Sequence, residues 1–170
     1  MVTSVQPVGA KPVDFAKVQI EGTWLDDDGT ETALIIKDRA TGTMSYFADE
    51  EEIEIIVRQT HGMVFANLRE EGEKHYSWCA IELDGDQLSV RMPDADSFAA
   101  LIEKGAVPGK VLKTEEMIEN QGAPFKVSNT TIVLDDPTGK WVELLAGGKL
   151  DAPWDKESSG TLRRIREAQR

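Results

Sequence analysis

One cysteine, two histidines and nineteen basic residues against thirty-one acidic ones leave this 170-residue chain short of the raw material for several common functions. A formal charge of −12 repels phosphate backbones and anionic bilayers, which argues against nucleic-acid partners. No run of about eighteen apolar residues exists, so the chain has no helical span of a membrane. A lone Cys79, between Trp78 and Ala80, excludes an internal disulfide and reads as a small core residue, leaving the redox compartment open.

Catalytic signatures are missing as well. There is no Gly-x-Ser-x-Gly elbow, and Ser158-Ser159-Gly160 falls in a polar C-terminal stretch. Glycines occur singly at turns, without the spacing of a phosphate or dinucleotide loop. Asp26-Asp27-Asp28-Gly29-Thr30-Glu31 has its glycine at the wrong position for a helix-flanked calcium loop and reads as a hairpin turn. His61 and His75 have no second ligand at metal spacing; single-histidine haem binding is a third hypothesis behind the two below. No catalytic residue, metal or cofactor is expected, and the reading is non-enzymatic.

What the chain does have is alternation. Residues 17–25, 32–37, 43–48, 52–59, 63–68, 74–83 and 87–92 each read as a strand, separated by turn residues such as Thr41-Gly42, His61-Gly62 and Asp84-Gly85. The period of two is clearest where Ile53, Ile55 and Val57 alternate with Glu52, Glu54 and Arg58. Residues 126–134 read as an eighth strand. The acidic run Asp49-Glu50-Glu51-Glu52 reads as a solvated turn or rim. Short connections make neighbours antiparallel, and a meander of this kind closes most easily as an up-and-down barrel of about eight strands. Leu34-Ile35-Ile36 is apolar on both faces, so part of the outer wall must also be covered.

Two short helices supply the cover, after strand seven and after strand eight. Asp94 is the N-cap of the first, with Phe98, Leu101 and Ile102 on one face and Gly105 at its end. Asp136-Pro137 starts the second, which presents Trp141, Leu144 and Leu145 and stops at Gly147-Gly148. Residues 114–120, with Met117 and Ile118 among glutamates, read as a further short helical stretch. The organisation is then a flexible segment over 1–14, a barrel with helices over 15–148, and a polar tail over 149–170. The N-terminus lacks the apolar core of a signal peptide, which places a complete chain in the cytoplasm. Residues 2–11 also look like the tether left by a removed export signal, which would place it in the periplasm or outside the cell, as the soluble part of an exported or lipid-anchored protein.

Gly22-Thr23-Trp24, preceded by Phe15, resembles the G-x-W signature of lipocalins and related calycin barrels. The match is three residues plus strand order; the family's disulfide is missing, and two helices replace its usual one. The resemblance implies that Gly22 allows close backbone passage and that Trp24 closes the barrel's base beneath a late arginine, here Arg163, Arg164 or Arg166. It implies a small-ligand carrier.

A barrel of this size either fills its interior or holds one small ligand. The inward alternates expected to line such a cavity are Tyr46, Phe65, Tyr76, Trp78, Leu88 and Val90. Two functions follow: a carrier for a small apolar ligand, or a solid-cored interaction module that uses its acidic rim, a strand edge or the basic end Arg163, Arg164, Arg166 and Arg170. Either is compatible with a monomer or a homodimer.

Overall fold

The computed structural model describes residues 1–48, 51–120, 123–150 and 153–165, and backbone alone at 116, 118–120 and 123–125. In chain order the elements are β1 (Val2–Ser4), β2 (Lys11–Pro12), β3 (Gly22–Leu25), β4 (Glu31–Asp38), β5 (Thr43–Ala48), β6 (Glu51–Thr60), β7 (Met63–Leu68), β8 (Tyr76–Asp84), β9 (Gln87–Pro93), α1 (Ala95–Glu103), β10 (Gly109–Asn120), β11 (Ala123–Leu134), α2 (Lys140–Ala146) and β12 (Trp154–Arg164).

Strands β3 to β9 pair antiparallel in sequence order, and β12 closes the ring between β9 and β3. The result is a closed antiparallel barrel of eight strands. The closing strand is a correction: residues 126–134, expected to be the eighth strand, belong to β11, and the expected polar tail supplies β12 instead. β10 and β11 form a hairpin outside the barrel, joined to it through β1, which lies parallel to β11 and antiparallel to the first residues of β8. Residues 114–120 are therefore strand, because each pairs across the hairpin with β11.

The first fourteen residues, expected to be a flexible segment, carry β1 and β2. Val2, Val8 and Val13 are buried. The buried Asn67 amide accepts from the Val8 backbone at 2.6 Å and donates to the carbonyls of Val8 and Ile56, both at 3.1 Å. Arg58 donates to the carbonyls of Gly9 and Ala10. A segment whose backbone groups find such partners need not stay in water. Residues 17–21 are not strand: Lys17 and Val18 both turn back to the Asp14 carbonyl, which leaves β3 only four residues long.

Alternation builds two apolar cores on opposite sides of the barrel wall. Inside lie Ile20, Trp24, Leu34, Met44, Val57 and Leu88, with Phe15 and Val13 from the lead-in. Outside, Phe65, Trp78 and Ala80 of the wall meet Phe98 and Leu101 of α1, Trp141, Val142 and Leu145 of α2, and Ile132 and Leu134 of β11. Trp78 is the hub of the outer core, its ring 5.7 Å from Phe98, 5.9 Å from Phe65 and Trp141, and 6.3 Å from Trp154. Asp94 caps α1 by accepting from the Ser97 N–H at 2.8 Å. α2 begins later than Asp136-Pro137 implied: Gly139 is its cap, while Asp136 accepts from Thr138 and from the Trp141 indole.

Candidate ligand cavity

Antiparallel order puts the β4–β5, β6–β7 and β8–β9 turns at one end of the barrel and the β3–β4 and β7–β8 turns at the other. The first end is closed. The lead-in packs Val13, Phe15, Val18 and Ile20 against Trp24, Met44 and Val57. Trp24 is fully buried and its indole donates to the Ile20 carbonyl at 3.0 Å. Arg164, at the end of β12, lies over the Trp24 ring at 4.5 Å and donates to the carbonyls of Glu21, at 3.0 Å, and Gln19. Gly22 has φ +142, a conformation that L side chains rarely adopt, and a Cβ there would meet the Arg164 guanidinium at 3.4 Å. Of the three arginines the resemblance offered, Arg164 takes the position; Arg163 pairs at 3.6 Å with Asp27, and Arg166 and Arg170 lie outside the described residues.

The other end opens into a cavity of about 550 Å³. Its walls are aliphatic: Leu34, Ile53, Ile55, Ala66, Leu68, Ile81, Leu88, Val90, Met92 and Leu162, floored by Ile20, with Tyr46 as the inward aromatic. Polar groups are sparse. Ser77 and Cys79 share the inner face of β8 with Ile81, and Ser158 and Thr161 come from β12. There β12 is irregular: its register against β9 shifts between Asp155 and Gly160, and the Asp155 carboxylate accepts from the Glu157 and Ser158 backbones and the Ser158 hydroxyl. Those hydrogen bonds hold the Asp155 carboxyl below its ordinary range.

Asp26, Asp27 and Asp28 form the rim beside β3. The Asp26 carboxylate accepts from the Asp28 and Thr30 backbones at 3.0 and 2.8 Å, so this run is the hairpin turn that its glycine position implied. Across the mouth, Glu51, Glu54, Glu70 and Glu71 surround a second, more polar groove with Arg69. Glu52 is tied down by Lys37 at 2.7 Å and by the Ser45 hydroxyl at 2.6 Å, contacts that lower its carboxyl pKa. Asp49 and Glu50 lie outside the described residues.

Four of the six expected lining residues, Tyr46, Trp78, Leu88 and Val90, border the cavity. Trp78 does so only from its place in β8, since its ring belongs to the outer core. Phe65 and Tyr76 do not border it. Phe65 packs in the outer core, and Tyr76, on the same face of β8 as Trp78, stacks under Arg69 at 5.0 Å. Phe65 and Tyr76 lie on the outer face with the Trp78 ring, and strands buried on both sides give no clue to that face from hydrophobicity alone. The lining missed in their place is Ala66, Leu68, Ser77, Cys79 and Ile81, the period-two alternates of the same strands.

The titratable groups at the cavity are Asp26, Asp27, Asp28, Tyr46 and Cys79. No histidine lines it, and among the described residues no three His, Cys, Asp or Glu side chains converge to hold a metal ion. His61 sits exposed at the closed end with φ 49, and His75 immediately precedes β8. Burial pushes the Cys79 thiol up to about 11, away from the nucleophilic thiolate. No known protein family, curated protein or solved structure matches this chain.

Proposed function

We propose that this protein is a lipocalin-like carrier or sensor that holds one small apolar molecule inside its barrel without transforming it. The observation that carries this reading is the cavity itself. About 550 Å³ lies within the range of small-molecule sites, and its lining is largely aliphatic with a few polar groups. A closed floor opposite an open mouth suits a ligand that enters and leaves by one route. Gly22 and Trp24 beneath Arg164 support the lipocalin-like reading, since all three residues serve that floor. The protonated Cys79 and the absence of a histidine in the lining support a binding role over a catalytic one.

Native mass spectrometry of the freshly purified protein, followed by denaturation, tests the proposal. A stoichiometric small-molecule adduct released on unfolding is the expected result. A bare mass, together with no saturable uptake of any apolar probe, would remove the carrier reading and leave the interaction module.

A further inference from the structure

We infer that a second copy of this chain docks on the free edge of β10, by antiparallel strand pairing about a two-fold axis at Thr114. β10 is the terminal strand of the sheet and pairs only with β11 among the described residues. Its outer edge thus presents unpaired N–H and C=O groups, a template for another strand. Two exposed large apolar side chains lie on β10, Met117 at 67% and Leu112 at 47%. β11 also has an open stretch beyond its pairing with β1, but Pro124 interrupts the donors there.

Symmetry restricts the register. Adjacent pairs in an antiparallel ladder alternate between two hydrogen-bonding types, so a two-fold axis must pass through a residue paired with its own copy. An axis at Lys113 would set lysine against lysine, and one at Glu115 would set glutamate against glutamate. An axis at Thr114 instead sets Lys113 opposite the partner's Glu115, and Glu115 opposite the partner's Lys113. One step outward, Val111 faces the partner's Met117, and Met117 faces the partner's Val111. The face carrying residues 111, 113, 115 and 117 is therefore self-complementary in both charge and hydrophobicity.

That face is also prepared for a partner. Val111 packs against the outer core, while Met117 is exposed and outside that core among the described residues. Pairing lays each Met117 beside the other copy's Val111 and extends the outer core across the interface. Glu115 is already held by Lys126 at 2.6 Å, so the partner's Lys113 meets an oriented carboxylate. The paired segment is short, which puts the dimer among the small, weak interfaces and makes it concentration-dependent.

Sedimentation of the full chain from micromolar to near-millimolar concentration tests this, with Lys113→Glu and the double variant Lys113→Glu/Glu115→Lys beside the wild type and folding checked by circular dichroism. The wild type should shift from the 18.8 kDa chain toward twice that mass. Lys113→Glu should weaken self-association at least about tenfold, because both cross-strand pairs become repulsive. The double variant, which restores opposite charges and the original net charge, should recover it. A chain monomeric throughout overturns the inference, as does a dimer indifferent to Lys113→Glu or one that the double variant fails to restore.

Discussion

The guanidinium of Arg164 lies 4.5 Å from the centroid of the Trp24 ring, and the same side chain bonds to the carbonyls of Glu21 and Gln19. One residue near the end of the chain thereby fastens the lead-in, the first barrel strand and the closing strand together. Removing Trp24 empties the floor, so Trp24→Ala should cost about 3–5 kcal/mol. Arg164→Ala should cost about 1–3 kcal/mol through the lost cation–π contact and hydrogen bonds. A double-mutant cycle by urea denaturation should give a coupling of about 0.5–2 kcal/mol between them. Strict additivity would show that the two side chains do not act as a unit.

β12 carries a prediction of its own. It pairs with both β9 and β3, so its removal opens two edges at once. A chain truncated after Leu150 should lose its cooperative thermal transition and its near-ultraviolet circular dichroism. An unchanged melting temperature would mean that residues 151–170 are the dispensable tail their composition implies.

The two buried tryptophans of the outer core differ in their polar atoms. Trp141 donates its indole N–H to the Asp136 carbonyl, whereas the Trp78 indole N–H is buried with no hydrogen-bond partner among the described residues. Both replacements by Phe remove the same volume, but only Trp141→Phe breaks a hydrogen bond. Trp141→Phe should therefore be the more destabilising by about 1 kcal/mol in chemical denaturation. The opposite order would place an unseen partner on Trp78.

Cys79 faces the cavity with its thiol pushed up to about 11 from an ordinary 9.0. In the folded state the proton is held more tightly than in the unfolded chain. The associated stability is present below pH 9 and is lost as pH rises from 9 toward 11. Cys79→Ala should show a shallower alkaline loss of stability than the wild type. At pH 8 a thiol-reactive disulfide reagent should label the folded protein far more slowly than the protein in urea; equally rapid labelling of both would contradict the raised thiol pKa.

Much of the barrel was legible because seven of its strands alternate and end in turn residues. Asp94 and the Gly22-Thr23-Trp24 signature were legible for the same local reason. β12 was not: the residues it turns into the barrel include Gly160 and the stem of Arg164, and its Ser158-Ser159 irregularity breaks the period. β10 and β11 have long-range partners that no local pattern announces. In the site, Tyr46, Leu88 and Val90 belong to strands whose other face is largely polar, and their inward side could be read. On β7 and β8 the outer face is the richer one, with Phe65 and Trp78 facing the helices while Ala66 and Cys79 face the cavity. Hydrophobicity there points away from the lumen.

Whether the lumen takes an apolar guest is decided by a titration with an environment-sensitive apolar fluorophore. Ala66→Trp serves as the comparison, since Ala66 lines the cavity wall and a large side chain there would occupy the lumen. The wild type should bind one probe per chain saturably, and the folded variant should bind it at least about tenfold more weakly. Equal binding by both proteins would place the probe elsewhere and contradict binding in the lumen.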